Sequence, residues 1–287
     1  MKMTTRLKSV LAEKRAATFP GAANAMFARV IEELGFDACY LTGAGVANMH
    51  LGAPDIGLTT LTEIANVVAA TSDAVALPLL VDADTGFGNA VNMTRTVKVL
   101  ERAGAAGIQI EDQVFPKKCG HFNGKEVIPL VDMIAKIKAA VDARGDGDFQ
   151  IVARTDVLAI EGIEAALDRA HAFIEAGATA TFVEAPTTTA EMERIARELP
   201  APQIANIVFG GKTPDPGRER LAAMGFGAVL YANAALQAAL KASFDVLGSL
   251  KEHGSLDLVA DRLASFEERQ KAVAKPRWDA IEAMYRT

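Results

Sequence analysis

Short runs rich in Val, Ile and Leu alternate along this chain with longer segments of helical period, and that alternation narrows the possible folds more than any other feature. The runs are 37–42 (DACYLT), 77–84 (LPLLVDAD), 106–111 (AGIQIE), 149–154 (FQIVAR), 180–185 (ATFVEA), 202–207 (PQIANI) and 227–232 (GAVLYA). An eighth, 17–22, precedes them. Between them, apolar residues recur at helical spacing over 25–34, 60–70, 92–103, 130–143, 162–176 and 189–198. Strands that are apolar throughout are buried on both faces, as in a parallel sheet covered by helices. Eight such units favour a closed (β/α)8 barrel of the TIM type over a doubly wound sheet, and such barrels commonly run to about 250 residues. With 287 residues, half of them hydrophobic, the chain can bury that core without disulfides. The turn TGAGV at 42–46 lacks the GxGxxG spacing of a dinucleotide-binding turn.

No linker, repeat or low-complexity stretch divides the chain, so 1–287 is expected to form a single barrel domain. Past the last strand, AALQAALKASFDVLGSLKEHG and a charged helical tail exceed what a barrel needs. Residues 236–287 therefore read as a helical extension able to pack on a neighbouring subunit. Net charge is −6 and the 30 Lys and Arg are scattered, which argues against nucleic acid and membrane surfaces as partners. No apolar run approaches the ~20 residues of a membrane span, and the N-terminal stretch lacks the apolar core of a signal peptide. Two cysteines without a disulfide framework suggest a reducing compartment, so the expected location is the cytoplasm.

In barrels of this kind the chemistry sits at the C-terminal ends of the strands. Those ends carry Tyr40 and Thr42, Asp82 and Asp84, Glu111 and Asp112, Arg154 and Asp156, Glu184, and Asn206. Singly, each has an ordinary structural reading: Asp112 could cap the next segment, and Asp156 could pair with Arg154. Five successive strands, from Asp82 to Asn206, presenting acids, Arg and Asn at one end are harder to explain that way, because buried charge is costly unless paired or bound to metal. Asp82 and Asp84 are two apart, so a regular strand would point them to the same side. With Glu111 nearby they favour a hard cation such as Mg²⁺, with water and substrate oxygens completing its shell. Mn²⁺ could substitute.

Cys39 sits between Ala38 and Tyr40 inside a strand and reads as an inert core cysteine. Cys119 does not. Lys117, Lys118 and His121 surround it in a Gly-, Pro- and Lys-rich segment, 114–124, expected to be a loop rather than core. Those neighbours favour the thiolate. The Cys-Gly-His pattern has no second Cys pair or HxxxH for zinc, which leaves an incidental redox-active thiol, a nucleophile or a proton donor.

Taken together, these residues resemble the isocitrate lyase and phosphoenolpyruvate mutase superfamily, most closely the 2-methylisocitrate lyase and 2,3-dimethylmalate lyase branch. The resemblance runs from YLTGAGVANMHLGAPDIGLTT through VDADTGFGNAVNMTRTV, IEDQVFPKKCGH, IVARTD and VEAP to ANIVFGGKTP. Lyases of the superfamily carry the KKCGH cysteine; its phosphonomutases and phosphonopyruvate hydrolases typically lack it. The resemblance implies a barrel whose eighth helix is swapped between subunits of a homotetramer. It implies Mg²⁺ held by Asp82 and Asp84, partly through water, with Glu111 nearby. It gives catalytic roles to Cys119, Arg154, Glu111, His121 and Lys117. The α-keto-acid part of the product would sit on Tyr40, Thr42, Gly43 and Ala44, supported by Asp55. Arg154, Glu184, Asn206, Gly120 and His121 would also contact substrate.

The implied reaction is cleavage of a 2-hydroxy di- or tricarboxylate to an α-keto acid and a carboxylate, with Cys119 as general acid. Action on oxaloacetate, by decarboxylation or hydrolysis, is the alternative, followed by carboxyphosphonoenolpyruvate-type phosphonomutase chemistry; a non-catalytic barrel would be expected to lose the metal acids or the loop cysteine. Two departures bear on specificity. Phe209, in NIVFGG, stands where a carboxylate is common in the lyase branch. Residues 232–235 (ANAA) replace a Tyr-Pro-Leu-Ser-like run and lack its hydroxyl. Both leave less equipment for a third carboxylate, so an alkyl-substituted malate is the expected kind of substrate.

Overall fold

A computed structural model describes residues 1–118, 120 and 124–286. Its chain divides into two compact units, Met1–Ala234 and Ala235–Thr287. The first begins with α1, Met3–Ala12, followed by β1, Ala17–Ala22, α2, Ala25–Glu33, and β2, Cys39–Leu41. A short α3, Gly43–Val46, runs into a π turn at Ala47–Leu51, and then come α4, Leu61–Ala74, β3, Leu79–Asp82, α5, Ala90–Arg102, and β4, Gly107–Glu111. Next are α6, Leu130–Ala143, β5, Gln150–Thr155, the single turn α7, Leu158–Glu161, α8, Ile163–Glu175, and β6, Ala180–Val183. The unit ends with α9, Thr189–Glu198, β7, Ile204–Asn206, α10, Arg218–Met224, and β8, Ala228–Tyr231.

All eight strands pair in parallel in the order β6-β5-β4-β3-β2-β1-β8-β7. A parallel bridge between Thr181 and Gln203 brings the two outer strands together. There the Thr181 hydroxyl donates to Gln203 Oε1 at 2.9 Å. The sheet thus rounds into the expected (β/α)8 barrel. The strands are shorter than their apolar runs because the ends turn: Pro78 and Pro202 flank β3 and β7, and Asp84 is left-handed at φ 47°.

Alternation along the strands sorts the side chains. Leu79, Val81, Ile108, Ile110, Ile151 and Ala153 pack in a cluster with residues of α2, α4, α5 and α6. Their neighbours Tyr40, Leu80, Val152, Phe182, Ile204 and Leu230 form a separate cluster inside the barrel. Leu7 and Leu11 of α1 join that inner cluster, so α1 plugs the N-terminal end. The inward parity then continues to Asp82, Gln109, Glu111, Arg154, Glu184 and Asn206 at the other end. An apolar plug below and polar groups above are one pattern, read from opposite ends of the same strands.

Helix starts are set locally. Thr60 with Glu63, Asn89 with Asn92 and Thr188 with Glu191 make capping boxes that satisfy orphan N–H groups of α4, α5 and α9. The second unit consists of α11, Ala234–His253, a 3₁₀ turn at Asp257–Arg262, α12, Phe266–Ala272, capped by Ser265 and Glu268, and α13, Lys275–Tyr285. This unit is helical throughout its named elements. Among the described residues no helix is long and apolar enough to cross a membrane.

Gly21 marks the tightest point of the closure between β1 and β8: a Cβ there would lie 1.8 Å from the Ala232 carbonyl oxygen. The obstacle is backbone, which cannot swing away. Gly21→Ala is expected to destabilise the barrel by about 1–3 kcal/mol, read as a lower urea midpoint at unchanged slope.

Candidate active site

Arg154 is the centre of the polar end. Its Nε donates to Asp156 Oδ2 at 2.9 Å and its Nη2 to Asp156 Oδ1 at 3.0 Å. Glu111 Oε2 is 3.4 Å from Nε, and Glu184 Oε2 is 3.8 Å from Nη1. The guanidinium also lies 5.2 Å from the centroid of the Phe182 ring, a cation–π distance. Burial works against the Arg154 charge, but Asp156, Glu111 and Glu184 outweigh it and hold the group firmly protonated. Asp156 is buried too, yet Arg154 and Lys125 keep its carboxyl below the usual range.

A second cation, Lys117, lies across the site. Its ammonium is 2.8 Å from Asp84 Oδ1 and also ion-pairs with Asp55. Lys117, to which the resemblance gives a catalytic role, is only 3% exposed, turns into the barrel mouth and is held by acids there. Burial raises the Asp84 pKa to about 6 against the pull of Lys117. Burial likewise raises Glu111, with Arg154 and Lys117 opposing it.

Asp82 and Asp84 do come together, though by a turn rather than along a regular strand. β3 ends at Asp82, and the left-handed Asp84 returns so that both carboxylates flank Gly43. A Cβ on Gly43 would lie 2.9 Å from Asp82 Oδ2 and 3.2 Å from Asp84 Oδ1. The Gly43 N–H donates to Asp82 Oδ2 at 3.2 Å. Tyr40 donates to Gln109 Oε1 at 2.6 Å, and Gln109 Nε2 is 3.5 Å from Asp82 Oδ1. Among the described residues no three His, Cys, Asp or Glu side chains close into a metal cage.

The donor set nonetheless fits a hard divalent cation completed by water and substrate. Six carboxylates, those of Asp55, Asp82, Asp84, Glu111, Asp156 and Glu184, face three cations among the described residues, Lys117, Lys125 and Arg154. Glu111 Oε1 is buried without a hydrogen-bond partner among them.

A cavity of about 30 Å³ lies in the barrel mouth, lined by Tyr40, Thr42, Ala44, Asp55, Asp82, Gly120, Arg154, Glu184 and Asn206. These are sequence-predicted residues, and Gly43 adjoins Asp82 beside them. Ala232 and Asn233, from the 232–235 run singled out for specificity, complete the wall with Val208, which was not foreseen. Phe209, by contrast, is 87% exposed and does not line it. Cys119 and His121 lie outside the described residues. A larger cavity, about 920 Å³, opens elsewhere between Thr60, Asn89, Phe115 and Lys136 and contains none of the predicted site residues.

Lys125 was also missed. It follows a loop glycine and has no partner in sequence, but its ammonium reaches Asp156 Oδ1 and the Gly120 carbonyl, each at 2.6 Å. Pairing of Val114 N–H with Glu126 O and of Ile128 N–H with Asp112 O, each at 2.8 Å, ties the ends of this segment together.

A family model for phosphoenolpyruvate phosphomutase matches residues 7–250. The chain belongs to the isocitrate lyase and phosphoenolpyruvate mutase superfamily. It is 43% identical over its whole length to the 2,3-dimethylmalate lyase of Eubacterium barkeri, covering 99% of that protein. It is 44% identical to the 2-methylisocitrate lyase of Aeropyrum pernix over 90% of this chain and 82% of the relative. Oxaloacetate acetylhydrolase in complex with 3,3-difluorooxalacetate has a TM-score of 0.93 at 29% identity, covering 99% of this chain and 97% of that one. Phosphonopyruvate hydrolase with oxalate and Mg²⁺ has a TM-score of 0.89 at 29% identity, covering 99% of each. The protein is accordingly an enzyme of this superfamily, with lyases among its relatives.

The two cysteines should separate in reactivity. Burial pushes the Cys39 thiol up to about 12, so it is inert near neutral pH, where the thiolate is the reacting form. At pH 8 a disulfide reagent is expected to titrate one thiol in the native protein and none in Cys119→Ser. Denaturant should expose one further thiol in each.

Proposed function

We propose that this enzyme is a Mg²⁺-dependent carbon–carbon lyase that cleaves an alkyl-substituted malate or a 2-methylisocitrate-like acid to pyruvate, or a related α-keto acid, and a carboxylate. The observation that carries the reading is the Arg154 guanidinium, buried among Asp156, Glu111 and Glu184 beside the Asp82–Asp84 pair at one end of the cavity. Asp82 and Asp84 would hold the cation, with Glu111 nearby. When bound, it would supply Lewis-acid polarisation of the substrate hydroxyl and carboxylate.

The chain's own groups account for the remainder. Tyr40, Thr42, Gly43 and Ala44 border the α-keto-acid end, and Arg154 with Asn206 binds carboxylate oxygen. Glu111 Oε1, which has no hydrogen-bond partner among the described residues, can take the hydroxyl proton. As that proton leaves, the C2–C3 bond breaks; its electron pair goes to the departing fragment, and C2 becomes the keto carbon. Arg154 stabilises the negative charge as it grows. Cys119 then gives its thiol proton to the carbanion and recovers one from solvent, and Glu111 releases the hydroxyl proton to solvent.

A second reading, cleavage of oxaloacetate, draws support from the small cavity and from the likeness to oxaloacetate acetylhydrolase. The C-terminal extension supports a homotetramer: α11 buries none of its 20 residues and exposes Leu240, Phe244 and Leu247. Light scattering should then give four chain masses.

An α-keto-acid assay with 2,3-dimethylmalate, 2-methylisocitrate, isocitrate and oxaloacetate separates these readings. For the lyase, dimethylmalate or methylisocitrate should yield the keto acid, and Cys119→Ser should lose about 10²–10⁴-fold in kcat. Turnover of oxaloacetate alone, surviving in Cys119→Ser, would support the second reading. Mg²⁺ should raise the thermal midpoint of the wild type and not that of Asp82→Ala/Asp84→Ala; unchanged activity in chelator would sink the metal-dependent scheme.

A further inference from the structure

We propose that Lys125 is a positioning residue for Arg154, acting through the Asp156 carboxylate and through the backbone at Gly120. The proposal rests on reading this site as the catalytic one. The Lys125 side chain is 2% exposed and that of Asp156 is fully buried. An ammonium so deeply buried is costly unless its donors are used. Two are: one meets Asp156 Oδ1 and one meets the Gly120 carbonyl, each at 2.6 Å.

Asp156 is itself held in place. Its backbone N–H donates to Asp112 Oδ1 at 3.0 Å, while Arg169 at 3.0 Å and the Thr155 hydroxyl at 2.7 Å fix Asp112 Oδ2. Asp156 then offers Oδ2 to Arg154 Nε and shares Oδ1 between Arg154 Nη2 and Lys125. The Arg154 guanidinium has other acids within reach, Glu111 at 3.4 Å and Glu184 at 3.8 Å. Its direction is therefore a competition among three carboxylates. Lys125 fixes the position of the one that wins.

The same ammonium holds the chain above the guanidinium. A Cβ at Gly120 would lie 2.5 Å from Arg154 Nη2 and 2.3 Å from Glu184 Oε1, so the backbone there abuts the charged cluster directly. Without Lys125, the Gly120 carbonyl would lose this donor, and Asp156 would keep Arg154 as its cation. Both sides of the Arg154 position would loosen together.

The test compares full-length Lys125→Met and Lys125→Arg with wild type, using keto-acid kinetics and NMR exchange of the Arg154 Nε–H, assigned by its loss in Arg154→Lys. Misplacement of a catalytic group by about 1 Å can cost about 100-fold, so kcat in Lys125→Met should fall about 100-fold with a much smaller change in KM. Exchange of the Arg154 Nε–H should accelerate at least about tenfold, the thermal midpoint should hold within a few degrees, and Lys125→Arg should recover most of the kcat. A kcat within about threefold of wild type and unchanged Nε–H exchange would overturn the proposal. So would equal losses in both variants that track a falling thermal midpoint, since that marks a structural role alone. If Lys125→Met does not fold, Lys125→Gln is judged by the same criteria. If wild type turns over none of the acids offered, the functional reading fails while Nε–H exchange, which needs no substrate, still decides the role of Lys125.

Discussion

The polar end of this barrel depends on one buried cation. Arg154 extends inward from the end of β5, with Asp156, Glu111 and Glu184 around it and the Phe182 ring nearby. A guanidinium there loses its water, and only close carboxylates repay the loss. The converse also holds, because burial penalises Glu111 and Asp156 unless the guanidinium stays. Beneath them lies the apolar inner cluster formed by Leu80, Val152, Phe182 and their neighbours, which offers such charges no partner. Charge is consequently concentrated at the mouth.

Lys117 makes a second pole. It gathers Asp55 and Asp84, while Glu111 feels both cations. The surplus of negative charge stays on the side of Gly43, where the missing Cβ lets Asp82 and Asp84 approach the backbone. For the proposed reaction, that distribution would let one cleft hold a hard cation at the carboxylates and an acid at the fixed guanidinium. Neither alone would do both.

Much of this was legible in sequence because two periodicities carry it. The helical runs 130–143 and 189–198 and the strand 17–22 have the same limits in the structure. The strand runs put Tyr40, Asp82, Glu111 and Arg154 at one end of the barrel, and the parity of the inner cluster turns them inward there. Turns and long side chains were not legible. Nothing in VDADTG says that Asp84 adopts a left-handed conformation. Lys125, and the acids that Lys117 meets, were hidden because a lysine in a polar loop normally points to water, whereas both reach back to acids fixed elsewhere in the chain. α1 was missed for another reason: its buried Leu7, Val10 and Leu11 fill the barrel end, a tertiary role that a charged N-terminal stretch does not announce.

The cavity wall also bears on which acid the site would favour. Phe209 points its specificity question elsewhere, since it is largely exposed; Val208 and Ala232 are the neighbouring residues that line the space. With Ala44 they provide an apolar surface against which each buried methylene of a substrate gains about 0.8 kcal/mol. An additional carboxylate would instead lose hydration, and among the described residues Arg154 already has three acids to satisfy. A desolvated carboxylate without its own cation costs several kcal/mol, more than a few methylenes return. For the proposed lyase, the balance of these terms would favour an alkylated dicarboxylate over a tricarboxylate, and it follows from the wall and the charge count rather than from a metal that both acids would use alike.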